Sequence, residues 1–175
     1  MQKLATTLLR VTYRHVLKPI LFRHDPEKVH DRFIKLGTWL GRHTITRTLS
    51  RSLFDFEHTT LSQRLWGLAF RNPIGLSAGF DKDANLTDIL PSVGFGHLEI
   101  GTVTNKPYAG NPPPRLYRLP RSKGLVVYYG LKNVGVCEIV RRLKNKKTEV
   151  PLSISVGRTN SQDFARHLSK LGNFY

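Results

Sequence analysis

A single cysteine, Cys137, stands among 175 residues, so the chain can close no internal disulfide and build no cysteine metal cluster. Acidic residues are scarce too: 12 Asp and Glu face 28 Lys and Arg, giving a formal net charge of +16. A surface of that sign draws anionic partners, among them membrane lipids, nucleic acid or a phosphorylated cofactor. No apolar run approaches the roughly 20 residues of a membrane-spanning helix. No secretory signal with a continuous apolar core is visible. Internal repeats and low-complexity tracts are missing, as are Walker, Ser/His/Asp and metal-ligand constellations.

What is present is ordinary in bulk, with 39% hydrophobic and 23% charged residues, and one core-bearing domain is the default at this length. The charge is placed unevenly. Residues 1–54 hold 11 Lys/Arg against 3 Asp/Glu, and residues 105–175 hold 14 against 3. The middle, 55–104, has 3 against 6, so the whole chain is not built as a nucleic-acid sponge. The basic run Arg141 to Lys147 could touch nucleic acid, but such a run is more often a solvated helix end, where cations complement the helix dipole. No nucleic-acid partner is expected.

Leu9, Tyr13, Val16, Leu17 and Ile20 recur at helical spacing, with Arg10, Arg14 and Lys18 four apart on another face. Asp25-Pro26 supplies an N-cap and first-turn proline for a second helix, striped by Val29, Phe33, Leu36 and Leu40. This pair, residues 1–41, fits an in-plane contact with an anionic membrane, and it also fits plain packing on the body of the protein. Residues 42–60 read as a basic Thr/Ser-rich linker, and 61–70 as a hairpin turning at Trp66-Gly67. Strands are predicted at 74–78, 96–101 and 151–156. Helices are predicted at about 84–93, 134–143 and from Asp163. Ile74, Leu76, Leu98, Ile100 and Ile154 are the expected inward-facing strand residues. Alternation of strand and helix indicates a parallel α/β sheet, which three units leave open between a doubly wound sheet and a barrel.

The centre of the chain is Asn72-Pro-Ile-Gly-Leu-Ser-Ala-Gly-Phe-Asp-Lys82. A short strand ends at Ala78, Gly79 permits a sharp turn or close ligand approach, and Lys82 arrives at the strand's carboxyl end. A lysine there suits a flat anionic ligand. The same residues also make an ordinary βα turn with a solvated lysine.

In order, NPIGLSAGFDKD, GFGHLEIGTVT, GNPPPRLYRLP and a GLKNVG segment resemble the class 2, quinone-dependent dihydroorotate dehydrogenases, from about Tyr13 onward. That resemblance selects a (β/α)8 TIM-type barrel, of which residues 61–175 would be about three βα units, the front half of an enzyme inactive alone. It implies oxidation of dihydroorotate to orotate, with FMN as cofactor and a membrane quinone as acceptor. It also implies peripheral attachment at the cytoplasmic face of a bacterial inner membrane, or at the mitochondrial inner membrane. Ala78, Gly79, Phe80, Asp81, Lys82, Thr102 and Ser155 would contact the flavin. Lys82, Val127, Tyr128, Tyr129, Gly130 and Leu131 would contact the substrate, and His30 and Arg118 the quinone passage. The general base would lie beyond Tyr175, so no catalytic residue is expected in this chain, and no metal.

Several positions depart from the family's pattern: Val127-Tyr-Tyr-Gly-Leu-Lys132 stands where Asn-Arg-Tyr/Met-Gly-Phe-Asn is usual, Ser155 replaces an asparagine, and Arg158 replaces a lysine. Valine neither donates nor accepts, so its contact is lost or passes to a neighbour such as Tyr128 or Lys132. Another FMN-barrel oxidoreductase on a related ring therefore stays open, as does a non-catalytic basic membrane- or nucleic-acid-associated fragment. For the membrane contact, residues 1–40 carry 8 Lys/Arg against 3 Asp/Glu. Each basic residue near an anionic surface adds about 1 kcal/mol, weakening with salt. Sedimentation with anionic liposomes should fall when residues 1–40 are removed and when salt is raised. Equal binding with and without them would overturn the membrane reading.

Overall fold

The computed structural model describes residues 2–160. The first helix, α1 (Gln2–Thr12), runs through a π-helical turn at Tyr13–Leu17 into α2 (Lys18–Phe22). Pro19 lies just after the π turn; it lacks an N–H and crowds the preceding turn, which accounts for the irregular hydrogen bonding there. Helix α3 (Pro26–Arg42) starts as its sequence says, with the Asp25 carboxylate accepting the Lys28 N–H at 2.9 Å. Leu8, Val16 and Leu17 on the first arm, and Phe33, Leu36 and Trp39 on α3, remain exposed.

The linker expected at 42–60 is instead largely helix α4 (Thr44–Phe54). Its Thr and Ser side chains bond back to carbonyls, Thr46 to His43 and Ser52 to Leu49, which reconciles a poor helix composition with helical backbone. Arg51, paired with Glu149, fastens it to the segment before the last strand.

The hairpin is where it was expected: β1 (Gln63–Leu65) pairs antiparallel with β2 (Leu68–Phe70) around Trp66-Gly67, both with positive φ. Then come β3 (Gly75–Leu76) and β4 (His97–Thr104). A second hairpin, β5 (Leu116–Leu119) with β6 (Gly124–Val127), precedes α5 (Val136–Leu143) and β7 (Leu152–Gly157). Strands β3, β4 and β7 form one open, all-parallel sheet in that order. It is a partial α/β fold and not a closed barrel. The helix expected from Asp163 lies outside the described residues.

Three expectations change. No α-helix spans 84–93; turns lead into one 3-10 turn, Leu90–Val93. The Asp81 carboxylate takes the N–H groups of Asn85 and Leu86, both at 2.8 Å, holding that backbone in a loop. Ile74 is 62% exposed, and its strand is only two residues long.

Leu98 and Ile100 face the helix layer and not the interior side of the sheet. Leu98 packs with Leu86, Ile89, Leu90 and Val150 against α3, while Ile100 packs with Ala84, Val103 and Ile139 of α5. Alternation then leaves Glu99 on the other face, with its carboxylate 3.5 Å from the Ala78 N–H. The basic end of α5 is internally paired: Arg141 and Arg142 hold Glu138, and Lys146 holds Asp88.

Ile139 is 1% exposed, so Ile139→Ala should cost about 2–5 kcal/mol in urea denaturation, as buried large-to-small changes do. Its neighbour Val140, 55% exposed, should lose no more than about 0.5 kcal/mol on the same change.

Candidate active site

A cavity of about 790 Å³ opens at the carboxyl ends of β3 and β4. Its floor is the turn after β3. Gly79 donates to the Gly101 carbonyl at 2.8 Å, and Gly101 donates to the Asp81 carbonyl at 3.2 Å, so the end of β4 pins the turn in place. Gly79 has φ +107 and nothing within 4 Å of where a Cβ would stand, which leaves room for a flat group to lie on the backbone.

Ala78, Gly79, Phe80, Lys82 and Thr102 of the expected flavin set line this cavity. Asp81 does not. It is 1% exposed, its carboxylate is spent on the loop that follows, and burial pushes its pKa up despite those N–H bonds. Ser155 also stands outside the lining, though its hydroxyl lies 3.0 Å from that of Thr102. The whole expected substrate set, Val127 to Leu131, lines the opposite wall with Lys82.

Tyr129 organises that wall. The Lys82 ammonium sits 4.2 Å from its ring centroid, the Arg115 guanidinium 5.1 Å and the Lys132 ammonium 5.9 Å. Burial, reinforced by the Glu27 carboxylate, pushes the Tyr129 phenol up to about 12, and its hydroxyl is buried with no hydrogen-bond partner. Lys82 is held down first by burial and then by Lys132. Among the described residues it has the Tyr129 ring for company but no salt bridge.

His30 and Arg118 part ways. His30 lines the cavity, its Nε2 donating to the Phe80 carbonyl at 2.9 Å and its ring edge meeting Phe80. Arg118 lies outside the lining: it donates to the His24 carbonyl at 2.8 Å and stacks on Phe22 at 4.7 Å.

Sequence reasoning missed the Glu27–Arg115–Lys132 cluster. Arg115, 8% exposed, grips Glu27 through Nε and Nη2 at 3.0 and 2.6 Å, and Lys132 adds a bond of 3.1 Å. The arginine holds the Glu27 carboxyl down at about 2, with Lys132 contributing. A carboxylate in the first turn of a basic helix, and two arginines in one motif, were the available signals. Asn111 and Asn160 also line the cavity and were not singled out.

A family profile described as dihydroorotate dehydrogenase matches residues 60–175. The chain belongs to the dihydroorotate dehydrogenase family. Relatives named dihydroorotate dehydrogenase (quinone) include that of Synechococcus sp. (strain JA-3-3Ab), 41% identical over 83% of this chain and 40% of its own length. That of Corynebacterium glutamicum (strain ATCC 13032) is 36% identical over 96% of this chain and 47% of its own length. Two crystal structures of the dihydroorotate dehydrogenase of Eimeria tenella are similar. One, in complex with ferulenol, gives a TM-score of 0.63 at 30% identity, covering 83% of this chain and 40% of that one. The ligand-free form gives 0.64 at 29%, covering 86% and 44%. The chain thus spans less than half the length of the relatives it matches.

Dihydroorotate dehydrogenases are flavoenzymes, and the cavity fits a flavin ring: open space above Gly79, an unbonded buried phenol and, among the described residues, a cation without a salt bridge. The Glu27 cluster carries a pH dependence. Its carboxyl falls from 4.5 to about 2 on folding, so its stabilisation is complete above pH 4.5 and is lost as pH falls toward 2. An NMR titration of the Glu27 carboxyl should show that depressed midpoint, moving back toward the ordinary value in Arg115→Ala. A midpoint near 4.5 in the unaltered protein would show that the cluster does not form.

Proposed function

We propose that the protein carrying this chain oxidises dihydroorotate to orotate in pyrimidine biosynthesis, through FMN, with a membrane quinone as electron acceptor. The observation that carries this reading is Lys82: a half-buried ammonium without a salt bridge among the described residues, beside the empty space over Gly79 and the unbonded Tyr129 hydroxyl. Membership of the family supports it. We further propose that the described sheet is part of a (β/α)8 barrel and that this chain does not turn over by itself.

FMN when bound supplies the acceptor for the hydride removed from the substrate. The chain's own residues bind and orient. Gly79 gives the ring close access to backbone, and Thr102, steadied by Ser155, offers a hydroxyl at its edge. Lys82 places positive charge where negative charge gathers on substrate and ring, and its desolvated position strengthens that interaction. An anion arriving there also raises the depressed Lys82 pKa and keeps the ammonium charged.

His30 and Phe80 join the cavity to the helical pair of residues 2–42, whose exposed apolar residues suit a lipid quinone and an anionic membrane surface. Arg118, fixed between Phe22 and His24, sits on that apolar side. Among the described residues no helix is long and apolar enough to cross a membrane, so the attachment proposed is peripheral.

A second reading, another FMN-dependent oxidoreductase on a related ring, draws on Val127, which lines the substrate wall and offers no hydrogen bond. Dihydroorotate-driven quinone reduction, compared with other reduced rings, separates the two. Replacing Lys82 by Ala should slow flavin reduction by dihydroorotate at a cost of about 2–4 kcal/mol in the barrier. Unchanged rapid-reaction flavin reduction would show that Lys82 is not at the reacting centre.

A further inference from the structure

The wall that contains Val127 has lost a polar group but carries a cation that the reading above does not use. Lys132 lines the same cavity as Lys82, and both ammonium groups approach the Tyr129 ring, at 5.9 and 4.2 Å. The segment that presents it is held firmly. Gly130 and Leu131 turn with φ of 68 and 64, and Asn133 then anchors the chain. Its amide donates to the Thr104 hydroxyl at 2.7 Å and to the Leu131 carbonyl at 2.8 Å, while its oxygen accepts the Gly135 N–H at 2.8 Å.

Lys132 also holds a spare bond. Its partner Glu27 is already gripped by Arg115 through two nitrogens, and Arg115 is itself fixed by the Ala109 and Asn111 carbonyls at 2.8 and 2.7 Å. Glu27 therefore stays satisfied if Lys132 turns away. The lysine side chain is 34% exposed against 9% for Arg115 and 16% for Glu27, so it is the member of the three that reaches the open cavity. A flexible ammonium at a cavity wall, with a partner that does not depend on it, is free to meet a second anion.

We propose that Lys132 is a specificity-determining residue of the cavity, closing with Lys82 on the carboxylate of a planar ring ligand in place of the polar contact missing at Val127. This deepens the dihydroorotate reading and rests on it. Two cations on one carboxylate favour acidic rings over neutral ones of the same shape, because a neutral ring leaves the half-buried Lys82 ammonium without a counter-charge. Glu27, through Lys132, then links ligand binding to the first turn of α3.

The test is equilibrium dialysis of orotate, and of its uncharged methyl ester, against the FMN-loaded protein carrying this sequence. Lys132→Met should weaken orotate binding roughly tenfold to a hundredfold, as loss of a charge-assisted bond does, and leave the ester within about twofold. Lys132→Arg should recover most of the orotate affinity. Equal losses for both ligands would mean that Lys132 only supports the fold, and no loss for either would remove it from the site; each outcome overturns the proposal. Failure of orotate to bind the unaltered protein would instead overturn the dihydroorotate reading on which it rests.

Discussion

The buried Asp81 carboxylate is the constraint from which the site follows. By accepting the Asn85 and Leu86 N–H groups it stops a helix from starting directly after β3 and bends the chain back over the sheet. Two consequences come from that one bend. Lys82, next in sequence, is delivered to the cavity, and Ala84, Leu86, Ile89 and Leu90 are delivered to the core beneath α3 and α5. Burial makes the carboxylate costly, and two short backbone bonds offset that cost. A residue at 81 without a side-chain acceptor would leave both N–H groups unsatisfied in the interior, so floor and core would fail together.

A second tie joins the N-terminal helices to the same place. Glu27 stands in the first turn of α3, yet its partners, Arg115 and Lys132, come from segments roughly ninety to a hundred residues later that frame the Tyr129 wall. His30, one turn further along α3, bonds the Phe80 carbonyl. The helical pair is therefore fastened by ions and a histidine at its polar end and by Ile34 and Leu40 on the core, while Phe33, Leu36 and Trp39 stay uncovered. Fastening of that kind fixes the position of the pair relative to the cavity without consuming the surface that a lipid or quinone would need.

Much of this was legible in the sequence, for reasons that differ by element. Asp25-Pro26 fixed the start of α3 because capping is local, and the Trp66-Gly67 hairpin declared itself by its turn. The cavity-lining Ala78, Gly79 and Lys82 were readable because small residues and a cation at a strand end suit a ligand face, whereas Tyr129 was named through the family resemblance alone. Helix α4 was missed because Thr and Ser suggest a loop, and only tertiary contacts and back-bonding show otherwise. The facing of Leu98 and Ile100 was misjudged because strict alternation says that two faces differ, not which one meets the helices. Asp81 was placed with the flavin by its position in a motif; its true partners lie four and five residues ahead. The Glu27 cluster was invisible because no local pattern links positions so far apart.

The cations around Tyr129 explain why the wall has its composition. Three positive groups at one ring would repel one another strongly in a half-buried site, and one carboxylate, Glu27, offsets only part of that repulsion. Arg115 claims most of Glu27, so the residual positive charge falls on Lys82 and Lys132, the two that border the open cavity. The depressed Lys82 pKa is the mark of that imbalance, with burial its first cause and Lys132 its second. A carboxylate placed between the lysines would relieve their repulsion and offset the burial of Lys82. Val127 offers a ligand no hydrogen bond at that wall, so the polar character of the wall rests on the lysines that border the same cavity.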